Sequence, residues 1–240
     1  MNSLNLRLFR SQTAVLSAIL RAVSNADYRW FTIHEVAVSK LPAVLERIDL
    51  KHHVFLSSSY RAAVKSTGHP VAQVFLAPTP KADALGVERW LLVLLSTQKL
   101  KAEQMFDLEV KSLVWDEKYL LERSLDGRWT WKLEQSFFLK VVENIQELCR
   151  LRDHAGLSFQ LRRIAELPMF AGVRRDAQRL LLLAERGWGK RHAVNSGVRS
   201  GRVAWVERLL YLRGAAVKLY RDEYPLTLGD WLEQAREKQG

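Results

Sequence analysis

The spacing of apolar residues changes near residue 134, and that change restricts the chain to one fold class. Before it, Tyr28–Val38, His53–Ser57 and Val71–Leu76 are short runs rich in aromatic, aliphatic and β-branched residues, the composition of strands. Arg89–Leu95 is almost continuously apolar, as a central strand covered on both faces requires. Asp126-Gly127 lies between Tyr119–Leu125 and Arg128–Leu133, a strong hairpin signal. Residues 4–23 read as an amphipathic helix ended by Asn25-Ala26-Asp27, and a short helix follows Pro42 around Ala43–Ile48. After the change, apolar residues recur at helical steps in 137–151, Leu157–Leu167, Val173–Arg186, Val203–Tyr220 and Leu228–Lys238. No strand is expected beyond about residue 134. The class is α+β: an N-terminal helix plus a mostly antiparallel sheet, then a helical region. The division predicted is 1–134, including the hairpin at 119–133, and 135–240.

The charge follows the same division. The chain of 240 residues carries a net +11. Residues 150–221 hold sixteen basic and five acidic side chains, which accounts for the whole excess. Fourteen of the sixteen are Arg. Lysine would suffice for solubility, whereas the planar guanidinium fork grips phosphate oxygens in pairs and stacks on bases. A local, Arg-dominated excess implies a polyanion, with nucleic acid (DNA or RNA) first and an acidic protein second.

Most other classes fail on chemistry. One cysteine, Cys149, allows no internal disulfide and no Cys-rich zinc site, and its helical apolar context makes it a buried small hydrophobe. No apolar run reaches the ~18 residues that span a bilayer, and the first residues lack the pattern of a signal peptide. The expected setting is cytoplasmic, with no membrane partner, cofactor or metal. Gly187-Trp188-Gly189-Lys190-Arg191 lacks the first glycine and the Ser/Thr of a phosphate loop, and it follows a helix. No G-x-S-x-G elbow is present. His52-His53 and His34-Glu35 are adjacent pairs, which point to opposite faces of a strand and cannot share an ion there. Metal-independent RNA cleavage asks only for a base such as His34, His192 or Tyr28 and for cations near the phosphorane. CRISPR repeat-processing nucleases do this chemistry on α+β proteins of similar size, but their glycine-rich C-terminal loop has no good counterpart here.

Two basic features carry the binding expectation. In Pro168–Arg175, a helix break precedes a new helix whose first turn bears Arg174 and Arg175, a candidate phosphate clamp. Arg175, Arg179 and Arg186 then share one helix face, and Arg162 and Arg163 end the preceding helix. The two helices have the scale of a helix-turn-helix. The second feature, Gly187–Arg202, contains four glycines and is expected to be a loop. There Trp188 would stack on bases, and Lys190, Arg191, Arg199 and Arg202 would neutralise phosphates. Trp129 and Trp131 share a strand face and are expected to pack. If that face is open, Arg128 and Lys132 would flank a stacking platform.

The hairpin ending Arg128-Trp129-Thr130-Trp131-Lys132, the helix after it and Pro168-Met169-Phe170-Ala171-Gly172-Val173-Arg174-Arg175 resemble an uncharacterised family of bacterial integrative conjugative elements and plasmids, over roughly residues 28–190. The resemblance implies a mobile-element context with DNA nearby and transfers no functional residue. Together these readings point to a non-catalytic nucleic-acid-binding accessory protein of mobile-element replication, transfer or maintenance. The alternatives are a metal-independent endoribonuclease, or a basic subunit docking on a larger nucleoprotein complex.

Overall fold

The computed structural model describes residues 7–9, 11–78, 89–192 and 223–227. The fold is α+β with antiparallel strand pairing. The chain divides into two compact units, one of residues 1–116 with 219–240, the other of 117–218.

In the first unit, β1 (Arg7–Phe9) pairs antiparallel with β9 (Glu223–Thr227). This strand, EYPLT, was not foreseen. Its Pro breaks the period-2 pattern and its partner lies more than 200 residues away, so no local signal marks it. Helix α1 (Gln12–Ala26) starts later than its apolar spacing suggests, because the Ser11 side chain accepts from the Ala14 N–H and fixes the first turn there. Strands β2 (Trp30–Ala37), β3 (Ala72–Pro78), β4 (Arg89–Ser96) and β5 (Phe106–Asp107) form one sheet in the order β3-β4-β2-β5. As the continuous apolar run requires, β4 is central, and Trp90 through Leu95 are all buried. Trp90, Leu92 and Leu94 share a core with Leu41, Leu45 and Ile48 of helix α2 (Leu41–His52).

The strand expected at His53–Ser57 does not form. His53 closes α2 in the left-handed region at φ 49°, and the Asp49 carboxylate accepts from the Phe55 N–H at 3.1 Å. Ser57 then caps helix α3 (Ser58–Ser66). The apolar run is too short for its period to decide, and the capping side chains on either side decide it. His52 tucks in beside Glu103 at 3.3 Å while His53 is exposed. Strand β6 spans Leu113–Trp115.

In the second unit, β7 (Tyr119–Arg123) and β8 (Trp129–Leu133) form the expected hairpin. Gly127 takes φ 77° in its turn, and Ser124 N–H bonds to the Arg128 carbonyl. Helix α4 (Gln135–Leu151) starts at Glu134, whose carboxylate accepts from the Ser136 and Phe137 amides. Asp153 caps α5 (His154–Ala165). Helix α6 (Ala171–His192) packs on α4 and on β8. The hairpin thus shares a unit with the helices that follow it, so the change of period at 134 falls inside a unit rather than between two. Periodicity reports local conformation, and the docking of α6 on β8 joins residues about 40 apart.

Helix α6 runs through Gly187 and Gly189, so the start of the loop expected at 187–202 is helical. Its remainder, including Arg199 and Arg202, and the helices expected at 203–220 and 228–238 lie outside the described residues. Cys149 is buried, with Sγ 3.9 Å from the Ala184 carbonyl oxygen. Gly187 lies against it, where a Cβ would sit 3.1 Å from the sulfur.

Candidate nucleic-acid interface

The site is built outward from the seam between β8 and α6. The Gly172 N–H donates to Thr130 Oγ1 at 3.0 Å, and the Leu133 N–H donates to Asp176 Oδ2 at 3.1 Å. A Cβ on residue 172 would fall 2.5 Å from the Trp131 carbonyl oxygen, so only glycine allows this approach. The helix thereby covers β8 and satisfies part of its backbone. These contacts also fix which way α6 faces. Val173, Asp176, Ala177, Leu180 and Ala184 are buried, and Arg175, Arg179 and Arg186 are exposed on the opposite side, as the helical spacing predicted. Arg174, one residue out of phase, is half-buried.

Part of the helix start expected to clamp a phosphate is engaged within the protein itself. The Gly172 amide of the first turn is already bonded to Thr130, and Gly172 and Val173 are buried. The exposed arginines of α6 lie on its flank rather than around that amide.

Asp176 stands among the arginines of α6 but on the inward face of the helix. It is buried. Burial pushes its carboxyl above the usual range, opposed by the Leu133 N–H and by Arg179, Lys132 and Arg175. Its phase was the available signal, since residues 173, 176, 177, 180 and 184 mark one helix face. Arg179 Nη1 reaches Asp176 Oδ1 at 3.5 Å, though the Arg side chain is 66% exposed.

On α5, Arg162 and Arg163 are exposed, with the Arg163 guanidinium 6.0 Å from the centre of the exposed Phe159 ring. Trp188 is half-buried on α6, edge-on to His154 at 5.8 Å between ring centres. It is therefore a helical residue with a ring partner, not the tip of a loop. Lys190 and Arg191 lie in the last turn of the same helix. Trp131 is fully buried, and Trp129 is half-buried with the Arg123 guanidinium 5.0 Å from its ring centre. Both tryptophans pack, as expected, and they leave no open platform.

Sequence reasoning also passed over a cavity of about 190 Å³ between β8, α4, α5 and α6. Its lining includes Lys118, Lys140 and Arg163, the first two outside the basic segment and therefore invisible to a charge count.

Two of the dispersed base candidates, Tyr28 and His34, lie apart within the first unit. Tyr28 is buried, and its burial pushes its hydroxyl pKa up. His34 lies six residues further on, roughly 15–20 Å along near-extended chain, and bonds Thr32 Oγ1 at 2.9 Å. His192 belongs to the other unit. Among the described residues, no group of three or more His, Cys, Asp or Glu is placed to hold a metal ion, and no helix is long and apolar enough to cross a membrane. No protein family, curated protein or solved structure matches the chain.

Proposed function

We propose that the protein is a non-catalytic nucleic-acid-binding accessory protein of the bacterial cytoplasm, serving the replication, transfer or maintenance of a mobile element. The observation that carries the reading is the exposed flank of α6. Arg175, Arg179 and Arg186 line one side of a helix whose other side is locked into the unit. Arg162 and Arg163 add exposed guanidinium groups on α5. Guanidinium groups on a rigid element contact phosphates without first ordering a loop, so the entropic cost of binding is small. The resemblance to the conjugative-element family supplies the mobile-element context. Affinity for duplex DNA, single-stranded DNA and RNA, each at two salt concentrations, tests the proposal. Binding that weakens steeply with salt supports it. Salt-independent or absent binding to all three overturns it and leaves the basic face as a docking surface for another protein.

A further inference from the structure

The cavity between β8, α4, α5 and α6 has two chemically distinct parts. Phe137, Val141, Ile164 and Leu180 contribute apolar surface. Lys118, Lys140 and Arg163 line the same space. Lys118 Nζ lies 5.2 Å from the centre of the Phe137 ring, so cation and apolar surface are contiguous. Asn144 and Gln160 also line the cavity, and Gln160 is more than nine-tenths buried. Asn144 Nδ2 donates to Gln160 Oε1 at 3.1 Å, which leaves the pair with Gln160 N–H donors and the Asn144 oxygen as an acceptor.

We infer that this cavity takes a single unstacked nucleotide, its base against the apolar wall and the Asn144–Gln160 amides, and its phosphate against Lys118, Lys140 and Arg163. Size, edge chemistry and charge all favour this occupant. A volume near 190 Å³ exceeds the ~150 Å³ that accepts a benzene ring, giving room for one ring system. Amide side chains recognise base edges, which present donors and acceptors side by side, and an aliphatic carboxylate would leave the buried Gln160 unanswered. Three cations exceed what one carboxylate needs and suit a phosphate. The inference deepens the nucleic-acid reading: the α6 flank would hold the backbone while the cavity reads one splayed base.

Calorimetric titration of the full chain with adenosine and uridine monophosphates, with the matching nucleosides and with inorganic phosphate tests it. At least one monophosphate is expected to bind ten-fold or more tighter than phosphate or nucleoside. Val141→Trp, which fills the cavity, should abolish that binding. Lys140→Glu, on an exposed position, should weaken the monophosphate at least five-fold and leave the nucleoside unchanged, even if Val141→Trp fails to fold. Monophosphate binding no tighter than phosphate, or indifferent to Lys140→Glu, overturns the inference. Salt-sensitive oligonucleotide binding that ignores both variants overturns the cavity's role and leaves the wider reading standing. Monophosphate binding without any oligonucleotide binding does the reverse.

Discussion

Two glycines seventeen residues apart on α6 make opposite demands. At Gly172 an added Cβ meets the Trp131 carbonyl oxygen at 2.5 Å and Lys132 Cβ at 2.9 Å, and the first of these is backbone that cannot swing away. At Gly189 nothing lies within 4 Å. Gly172→Ala should therefore destabilise the second unit by about 1–3 kcal/mol through overpacking at the seam. Gly189→Ala should stabilise by about 0.5–1 kcal/mol, because alanine loses less backbone entropy in a helix. Urea midpoints of the two variants should move in opposite directions, and movement in the same direction would contradict the seam geometry.

Asp176 joins the same seam to pH. Its carboxyl titrates above the unfolded value of about 3.9, chiefly because it is buried. A raised acid costs nothing below the unfolded pKa, and it weakens the fold increasingly as pH rises through the folded pKa. Asp176→Asn keeps an oxygen for the Leu133 N–H and never ionises. Its stability relative to the parent should therefore improve from pH 3.5 to pH 7 and then level off. A relative loss over that range would mean that attraction to Arg179 outweighs burial. Asp176→Leu removes the acceptor and should cost about 1–3 kcal/mol at either pH.

At the scale of elements, what was legible in the sequence depended on length and on strictness of period. The six consecutive apolar residues from Trp90 to Leu95 and the Asp126-Gly127 turn left no competing conformation, and both elements formed as read. His53–Ser57 was lost because the Asp49 carboxylate takes the Phe55 N–H within it and the Ser57 hydroxyl caps the helix that follows. The helix through Gly187 was missed because two glycines read as a stop. Each costs only ~1 kcal/mol in a helix, and the close packing of Gly187 on Cys149 draws the helix onward. The arginine flank of α6 was legible because three- and four-residue spacing puts side chains on one face wherever the helix sits. Its helix-start amide was not, because Thr130 comes from a strand 42 residues earlier. The flank yields a direct test. Replacing Arg175 and Arg186 by Ala should lower the salt dependence of nucleic-acid binding by up to about two, at roughly 0.9 per duplex phosphate contact. Both side chains are exposed, so the urea midpoint should stay within about 0.5 kcal/mol of the parent. An unchanged slope with unchanged affinity would make them ordinary surface residues.

At the scale of the whole molecule, charge and compact units combine into one experiment. Residues 117–218 carry +9 of the net +11 in one continuous stretch of chain. The other unit draws on both ends of the sequence and carries +2. A cut at 134, where the apolar period changes, removes β8 from α6. It would uncover the part of α6 that packs on β8 and leave the Gly172 amide and the Asp176 carboxylate without Thr130 and the Leu133 N–H. A cut before 117 keeps all of these contacts. The fragment 117–218 should therefore fold cooperatively and retain most of the nucleic-acid affinity with nearly the parent salt slope. The fragment 135–240, which holds the same arginines, should unfold non-cooperatively and bind only weakly and without discrimination between ligands. Circular dichroism melts and binding curves on both fragments decide the matter. Equal behaviour of the two would show that the seam is dispensable and that charge alone carries binding. Loss of affinity in a well-folded 117–218 would instead place the contact surface in the other unit.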